Sequence, residues 1–265
     1  MIMWYSRAGA LLGALALLSA CGGGDVTVTP AEIGTGTPTQ DVTGFNGIWE
    51  GSYNSNVGGQ TCGDLRGLIL NGQVRVVSEA CNMVLVGSMS VSGDTASISV
   101  DTFAADGSGA TGAASFSGSF TRGSVINGIY SNADGDSGNF VLNYNIIYEN
   151  DSSLSKVEGS WEYKSASDWV DLRINNVGNI VGADNNGCSY AGNISLIDPA
   201  YNLYAYNIIL ENLNLDNFVF TCPTAGNYTG VASITAGANG SMTVLAGNDQ
   251  NVFFADLGKA SGTTN

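Results

Sequence analysis

From residue 44 onwards, apolar positions recur with a period of two rather than 3.6. In residues 95–101, Ala96, Ile98 and Val100 alternate with Thr95, Ser97, Ser99 and Asp101. Residues 203–211 put Tyr204, Tyr206, Ile208 and Leu210 on one face. Residues 139–148 do the same with Phe140, Leu142, Tyr144, Ile146 and Tyr148. This alternation predicts antiparallel strands with one buried face. Asn71-Gly72, Asp106-Gly107, Asp134-Gly135 and Asn186-Gly187 fall between the alternating runs, where hairpins need residues that accept positive φ.

The pattern occurs twice. Gly47-Ile48-Trp49-Glu50 is matched by Gly159-Ser160-Trp161-Glu162, and Leu65-Arg66 by Leu172-Arg173. Cys81 and Cys188 follow, each with an apolar residue two positions on (Met83, Tyr190). Then come Val-Gly-Ser-Met-Ser at 86–90 and Ala-Gly-Asn-Ile-Ser at 191–195. A shared order at offsets of 112, 107 and 105 residues points to duplication.

Glycines refine the expected fold. Gly51, Gly87, Gly118, Gly159, Gly192 and Gly230 lie on the apolar phase of their strands, flanked there by large residues such as Trp49 and Tyr53, or Phe116 and Phe120. An inward glycine lets a strand bend and makes room opposite for an aromatic ring. With seven or eight strands per copy, the expectation is an all-β chain. It would form two tandem, small, antiparallel, lipocalin-like up-and-down barrels, with one continuous sandwich or larger barrel as the second choice.

The first residues follow different rules. Residues 1–20 hold one cation, Arg7, then an apolar run from Ala8 to Leu18 that is too short to span a bilayer, which is the layout of a signal peptide. The run ends in Leu18-Ser19-Ala20-Cys21, which resembles the lipobox of bacterial lipoproteins. The resemblance implies cleavage before Cys21, acylation of that cysteine and attachment to a membrane through the acyl chains. Gly22 stands where the family's inner-membrane retention signal has Asp, which implies the outer membrane, at its periplasmic face or at the cell surface. Residues 22–43 lack apolar periodicity and read as a tether with a root-mean-square reach of about 25 Å. The chain therefore divides into a signal segment (1–20), Cys21 with its tether (21–43), a first β copy (44–152) and a second (153–265).

Composition narrows the chemistry. The processed chain carries 7 basic and 23 acidic residues, a net charge of −16, which argues against nucleic acid and against a basic patch for anionic lipid. With no histidine in the sequence, Ser-His-Asp and Cys-His nucleophiles and His-ligated zinc or haem are excluded. The three lysines, Lys156, Lys164 and Lys259, are not in an S-x-x-K arrangement. No catalytic, cofactor-binding or metal-binding residue is expected, and the chain does not read as an enzyme.

Four cysteines remain after Cys21. In an exported protein Cys62, Cys81, Cys188 and Cys222 read as disulfides. Three connectivities are open, and the duplication favours one bridge per copy, Cys62–Cys81 and Cys188–Cys222. The stretch Asn132–Gly138 superficially resembles a calcium loop, but its glycine falls one position late and Asn143 stands where the closing glutamate belongs, so a hairpin turn with exposed acids is expected. Glu50 and Glu162 sit on the polar phase of separate copies and read as solvated strand positions. Trp49, Trp161, Tyr190, Tyr204 and Tyr206 are the candidate lining of a pocket, with a filled core as the commoner outcome at inward positions.

Gly159-Ser160-Trp161, the run Asn186–Gly192, Ile197–Tyr204, Cys222 and Gly226–Ala232 together resemble a pattern in uncharacterised outer-membrane lipoproteins of Gram-negative bacteria, over roughly residues 110–257. That resemblance implies an address and no activity. A looser likeness to surface lipoproteins that capture iron carriers rests on Gly226-Asn227-Tyr228-Thr229-Gly230. It fails at Val231-Ala232-Ser233-Ile234, where a Glu-Leu-Gly-Gly run is expected, and no function is carried over. The expected role is a non-catalytic binding or assembly module of the cell envelope, its protein partner unidentified. The alternative is a carrier of a small apolar ligand.

Overall fold

The computed structural model describes residues 3–4, 42–57, 59–105, 109–215, 218–235, 240–248 and 251–260. Cys21 and the tether up to residue 41 lie outside them, as does all of the signal segment except Met3 and Trp4.

Each copy closes into an eight-stranded, antiparallel, up-and-down barrel. Barrel one runs β2 (Gly47–Ser55), β3 (Thr61–Leu70), β4 (Gln73–Ser78), β5 (Met83–Ser92), β6 (Thr95–Ala104), β7 (Ala110–Thr121), β8 (Val125–Asn132) and β9 (Ser137–Asn145), where β1 denotes the short pair Met3–Trp4. Barrel two runs β10 (Gly159–Lys164), β11 (Trp169–Ile174), β12 (Asn179–Asp184), β13 (Cys188–Leu196), β14 (Tyr204–Leu215), β16 (Gly226–Ile234), β17 (Ser241–Gly247) and β18 (Val252–Lys259). The short strand β15 (Phe218–Phe220) folds back on the end of β14 as a projecting hairpin. The curvature depends on close strand crossings. Gly118 and Gly128 pair across β7 and β8, and a methyl group on either would run into the backbone of the other strand.

Alternation behaves as expected along β6, where Ala96, Ile98 and Val100 are buried, and along β14, where Tyr204, Tyr206, Ile208 and Leu210 are buried. It breaks in 139–148. β9 stops at Asn145, whose side chain accepts the Ile147 N–H at 2.9 Å and starts a single 3-10 turn over Ile146–Glu149. Ile146 is therefore 71% exposed rather than inward, and Tyr148 turns away to stack on Tyr201 with ring centroids 4.7 Å apart.

One end of each barrel is plugged in the same way. A short helical turn, Thr43–Phe45 or Leu154–Val157, precedes the first strand. Trp49 and Trp161 are fully buried, and an indole N–H in that position needs an acceptor. Trp49 donates to the Phe45 carbonyl at 3.0 Å and Trp161 to the Val157 carbonyl at 2.7 Å, four residues back in both cases. A cation lies over each plug, with the Arg122 guanidinium 5.8 Å from the Phe45 ring and the Lys259 ammonium 5.5 Å from the Trp161 ring.

The barrels share a third apolar cluster. Leu68, Val77 and Val84 point outward from barrel one against Val231, Leu245 and Phe254 of barrel two. Burying side chains of this size stabilises by roughly 1.5–3 kcal/mol each. Arg66 crosses the same junction to Asp256 at 2.9 Å and bonds Glu79 at 2.8 Å, with all three side chains about one-third exposed. Ion pairs that wet contribute only about 0–1 kcal/mol. The apolar patch holds the barrels together, and Arg66 adds register.

Both disulfides form as the duplication favoured, Cys62–Cys81 and Cys188–Cys222. Cys81 and Cys188 occupy similar places, Cys81 two residues ahead of the fourth strand of barrel one and Cys188 at the first position of the fourth strand of barrel two. Their partners do not, because Cys62 lies on β3 whereas Cys222 precedes β16. The two loops span 19 and 34 residues, and each closure contributes roughly 3 kcal/mol in the chain-entropy model.

The barrels differ most at the seam where first and last strands meet. β2 pairs with β9 continuously from Ile48↔Asn145 to Ser55↔Gly138. Among the described residues β10 meets β18 only at Trp161↔Lys259 and Glu162↔Gly258, and Met3 and Trp4 pair with Phe254 and Phe253 farther along β18. Cleavage before Cys21 would remove β1 and bare that edge. In the chain 22–265, the β18 amides that point away from β17 should exchange hydrogen faster than those of β9 that face β2, as read by mass spectrometry or NMR. Equal protection of the two seams would contradict this.

Candidate functional site

A cavity of about 210 Å³ lies in barrel one at the end away from the Trp49 plug. The inward phase of β2 carries Trp49 to the plugged end and Tyr53, four residues on, to the other. Met83 at the start of β5, Thr102 near the end of β6 and Tyr130 near the end of β8 arrive at the same level. Its apolar lining is Tyr53, Met83, Leu85 and Phe116, with Tyr130 beside them. The Tyr53 and Tyr130 rings meet edge to face at 5.0 Å, and Phe116 lies 5.8 Å from Tyr130 and 5.2 Å from Phe140.

The acidic groups of the wall belong to the β8–β9 hairpin, while Thr102 of β6 and Thr111 of β7 add hydroxyls bonded to each other at 2.8 Å. Asp134 and Asp136 line the cavity. Asp136 accepts from Ser55 Oγ at 2.7 Å, from Tyr130 Oη at 2.8 Å and from the Ser137 N–H at 2.8 Å, and its own N–H donates to Asn132 Oδ1 at 2.8 Å. The Ser55 bond, helped by those of Tyr130 and Ser137, holds the Asp136 carboxyl below the usual carboxylate range, so it is an anion at neutral pH. Burial, and then the adjacent Asp136, push the Tyr130 phenol up to about 12. Burial and Asp136 raise Tyr53 as well. The stretch 132–138 is thus a hairpin turn, as the sequence suggests. One of its acids is nevertheless tied into the barrel wall instead of standing free.

The five aromatic residues singled out from the sequence lie elsewhere. Trp49 is in the core of barrel one and is not among the side chains that line the cavity. Trp161, Tyr190, Tyr204 and Tyr206 share the core of barrel two, all of them buried. Tyr204 Oη meets the backbone of Ser153 at the plugged end, and Tyr206 stacks on Phe253 with centroids 6.4 Å apart. Tyr190 Oη donates to Asp184 Oδ2 at 2.7 Å. The other oxygen of Asp184 accepts the N–H groups of Asn186 and Cys188 at 2.8 and 2.9 Å. Burial raises the Asp184 pKa, and burial together with Asp184 raises Tyr190. This carboxylate fastens the β12–β13 turn and the Tyr190 ring. The turn signal Asp184-Asn185-Asn186-Gly187 foretold the first task and nothing foretold the second.

Glu50 accepts from Asn145 Nδ2 at 2.7 Å in barrel one, while Glu162 pairs with Lys164 at 2.5 Å in barrel two. The two glutamates belong to different barrels. A second, smaller cavity of about 100 Å³ sits between the barrels, with Glu50, Arg66 and Asn145 on one side and Ser233, Thr235 and Thr243 on the other. Among the described residues no three His, Cys, Asp or Glu side chains gather as metal ligands, and no helix is long and apolar enough to cross a membrane. Comparison of the chain with protein-family models, with curated proteins and with solved structures finds no match in any of the three.

Asp136 should be visible in titration. Its folded pKa lies below the unfolded value of about 3.9, so the stability it contributes is complete above that value and is lost as pH falls through the folded pKa. Asp136→Asn should remove that part of the acid dependence and lower the Tyr130 pKa from about 12, read by tyrosine 13Cζ NMR. An unmoved Tyr130 titration would mean that the carboxylate does not act on it.

Proposed function

We propose that the chain is a non-catalytic binding module of the bacterial cell envelope, anchored in the outer membrane by acyl chains on Cys21. The observation that carries the reading is the one-ended cavity of barrel one. Its far end is stoppered by Trp49, its wall is largely aromatic and aliphatic, and its two acidic side chains come from a single hairpin. Such a barrel has room to hold a guest.

Barrel two, with its filled interior, serves as a rigid partner that fixes barrel one through the shared apolar cluster. The lipobox-like end of the signal segment supports the address, and a tether of about 20 residues holds the barrels off the lipid surface. A role in docking a protein partner is the second reading. The β18 edge that cleavage before Cys21 would bare favours it, since an unpaired strand edge is a template for strand addition.

Mass spectrometry of the protein extracted from its own envelope tests the reading. Under denaturing conditions the expected mass starts at an acylated Cys21 and lacks four hydrogens for the two disulfides. Under native conditions a stoichiometric small-molecule adduct is expected. A mass that retains residues 1–20 would overturn the anchor, and a bare native mass would overturn the guest-binding role.

A further inference from the structure

We infer that the barrel-one cavity takes a small organic monocation, a molecule with an apolar or aromatic body and one protonated amine. The inference rests on the binding-module reading above and names the chemistry of its guest.

The cavity wall supplies both halves of that ligand. Met83, Leu85, Phe116 and the rings of Tyr53 and Tyr130 make an apolar, π-rich surface. Among the described residues the acidic side chains of that lining are Asp134 and Asp136, and no lysine or arginine is with them. Asp136 is ionised, and its two oxygens offer about four acceptor positions. Ser55 and Ser137 bond Oδ1, Tyr130 bonds Oδ2 and the Val57 backbone also bonds the carboxylate, so an added donor would meet Asp136 from the cavity that it lines. An ammonium bonded there would lie beside the Tyr53 and Tyr130 rings, whose faces attract cations.

Size and field point the same way. At about 210 Å³ the cavity falls below the 300–1,000 Å³ of drug-sized sites, so a single ring or a short chain fits. The net charge of −16 on the processed chain raises the local concentration of cations and disfavours anions. A bare divalent metal is a poor match, because calcium takes six to eight oxygen ligands and magnesium near-ideal octahedral geometry, and among the described residues no three acidic side chains gather here.

The test uses the oxidised chain 22–265 with 13C-methyl methionine, which yields three probes: Met83 in the cavity, Met89 in the same barrel and Met242 in barrel two. Benzylammonium, benzyl alcohol and benzoate are titrated in parallel as cation, neutral isostere and anion. Benzylammonium is expected to shift Met83 saturably and leave Met242 in place, with benzyl alcohol about tenfold weaker and benzoate weaker still. Asp136→Asn should bring benzylammonium to the affinity of the alcohol. Because Asp136 also ties the hairpin to the wall, Asp134→Asn and a rise in salt serve as milder versions, each expected to weaken benzylammonium alone. Equal binding of the alcohol would overturn the cation and leave the pocket standing as a site. No response of Met83 to any of the three would overturn both.

Discussion

The hydrogen bond from a buried tryptophan to the carbonyl four residues before it is the contact on which the architecture turns. Closing eight strands into a barrel removes the free sheet edges but leaves two open ends, and an apolar interior open to water at both ends is not stable. In each copy a helical turn crosses one end and the indole seals it. The same bond fixes where the first strand begins, because Trp49 and Trp161 cannot satisfy their N–H groups unless Phe45 and Val157 sit directly beneath them. With one end sealed, every inward position above the plug is either core or cavity, and the two barrels divide on that point.

The division follows from what each barrel carries at its upper level. Barrel two fills it with Tyr190, Tyr206 and Tyr228 around the buried Asp184, with Phe253 stacked on Tyr206. Barrel one carries smaller groups there, Thr102 and Ala114 beside Met83 and Tyr53, and the space left over is the cavity. The Cys222 arm and the β14–β15 hairpin belong to barrel two alone, as does the short β10–β18 seam. Both copies are stapled, but one has been packed while the other has kept a space.

Much of this was legible in the chain. Period-two runs such as Thr95–Asp101 and Tyr204–Leu210, the turn dipeptides and the repeated Gly-x-Trp-Glu led to the all-β class, the barrel pair and the disulfide pairing. The misreading of 139–148 has a local cause, since a side chain of Asn145 that caps the backbone outweighs an apolar pattern that would have continued the strand. The inter-barrel face was missed although it has a signature. Leu68-Ile69-Leu70 and Val252-Phe253-Phe254-Ala255 are buried on both faces, and unbroken apolar runs of that kind mark strands covered on two sides. The cavity was not legible. Large aromatics at inward positions drew attention to Trp49, Trp161, Tyr190, Tyr204 and Tyr206, but the biggest side chains are the ones that fill space. The lining came from strand ends, and from a carboxylate whose role appears only when Ser55 and Tyr130 are brought to it from other strands.

The claim that two barrels are each sealed by their own tryptophan can be measured directly. The chain 22–265 has three tryptophans, Trp49, Trp161 and the half-buried Trp169. Hydrogen exchange of the three indole N–H signals should give two slow resonances, assigned to Trp49 and Trp161, that persist until global unfolding, and one fast resonance from Trp169. Rapid exchange of the Trp49 or Trp161 indole in the folded protein would contradict the account, because that barrel would then be open at the end on which its closure depends.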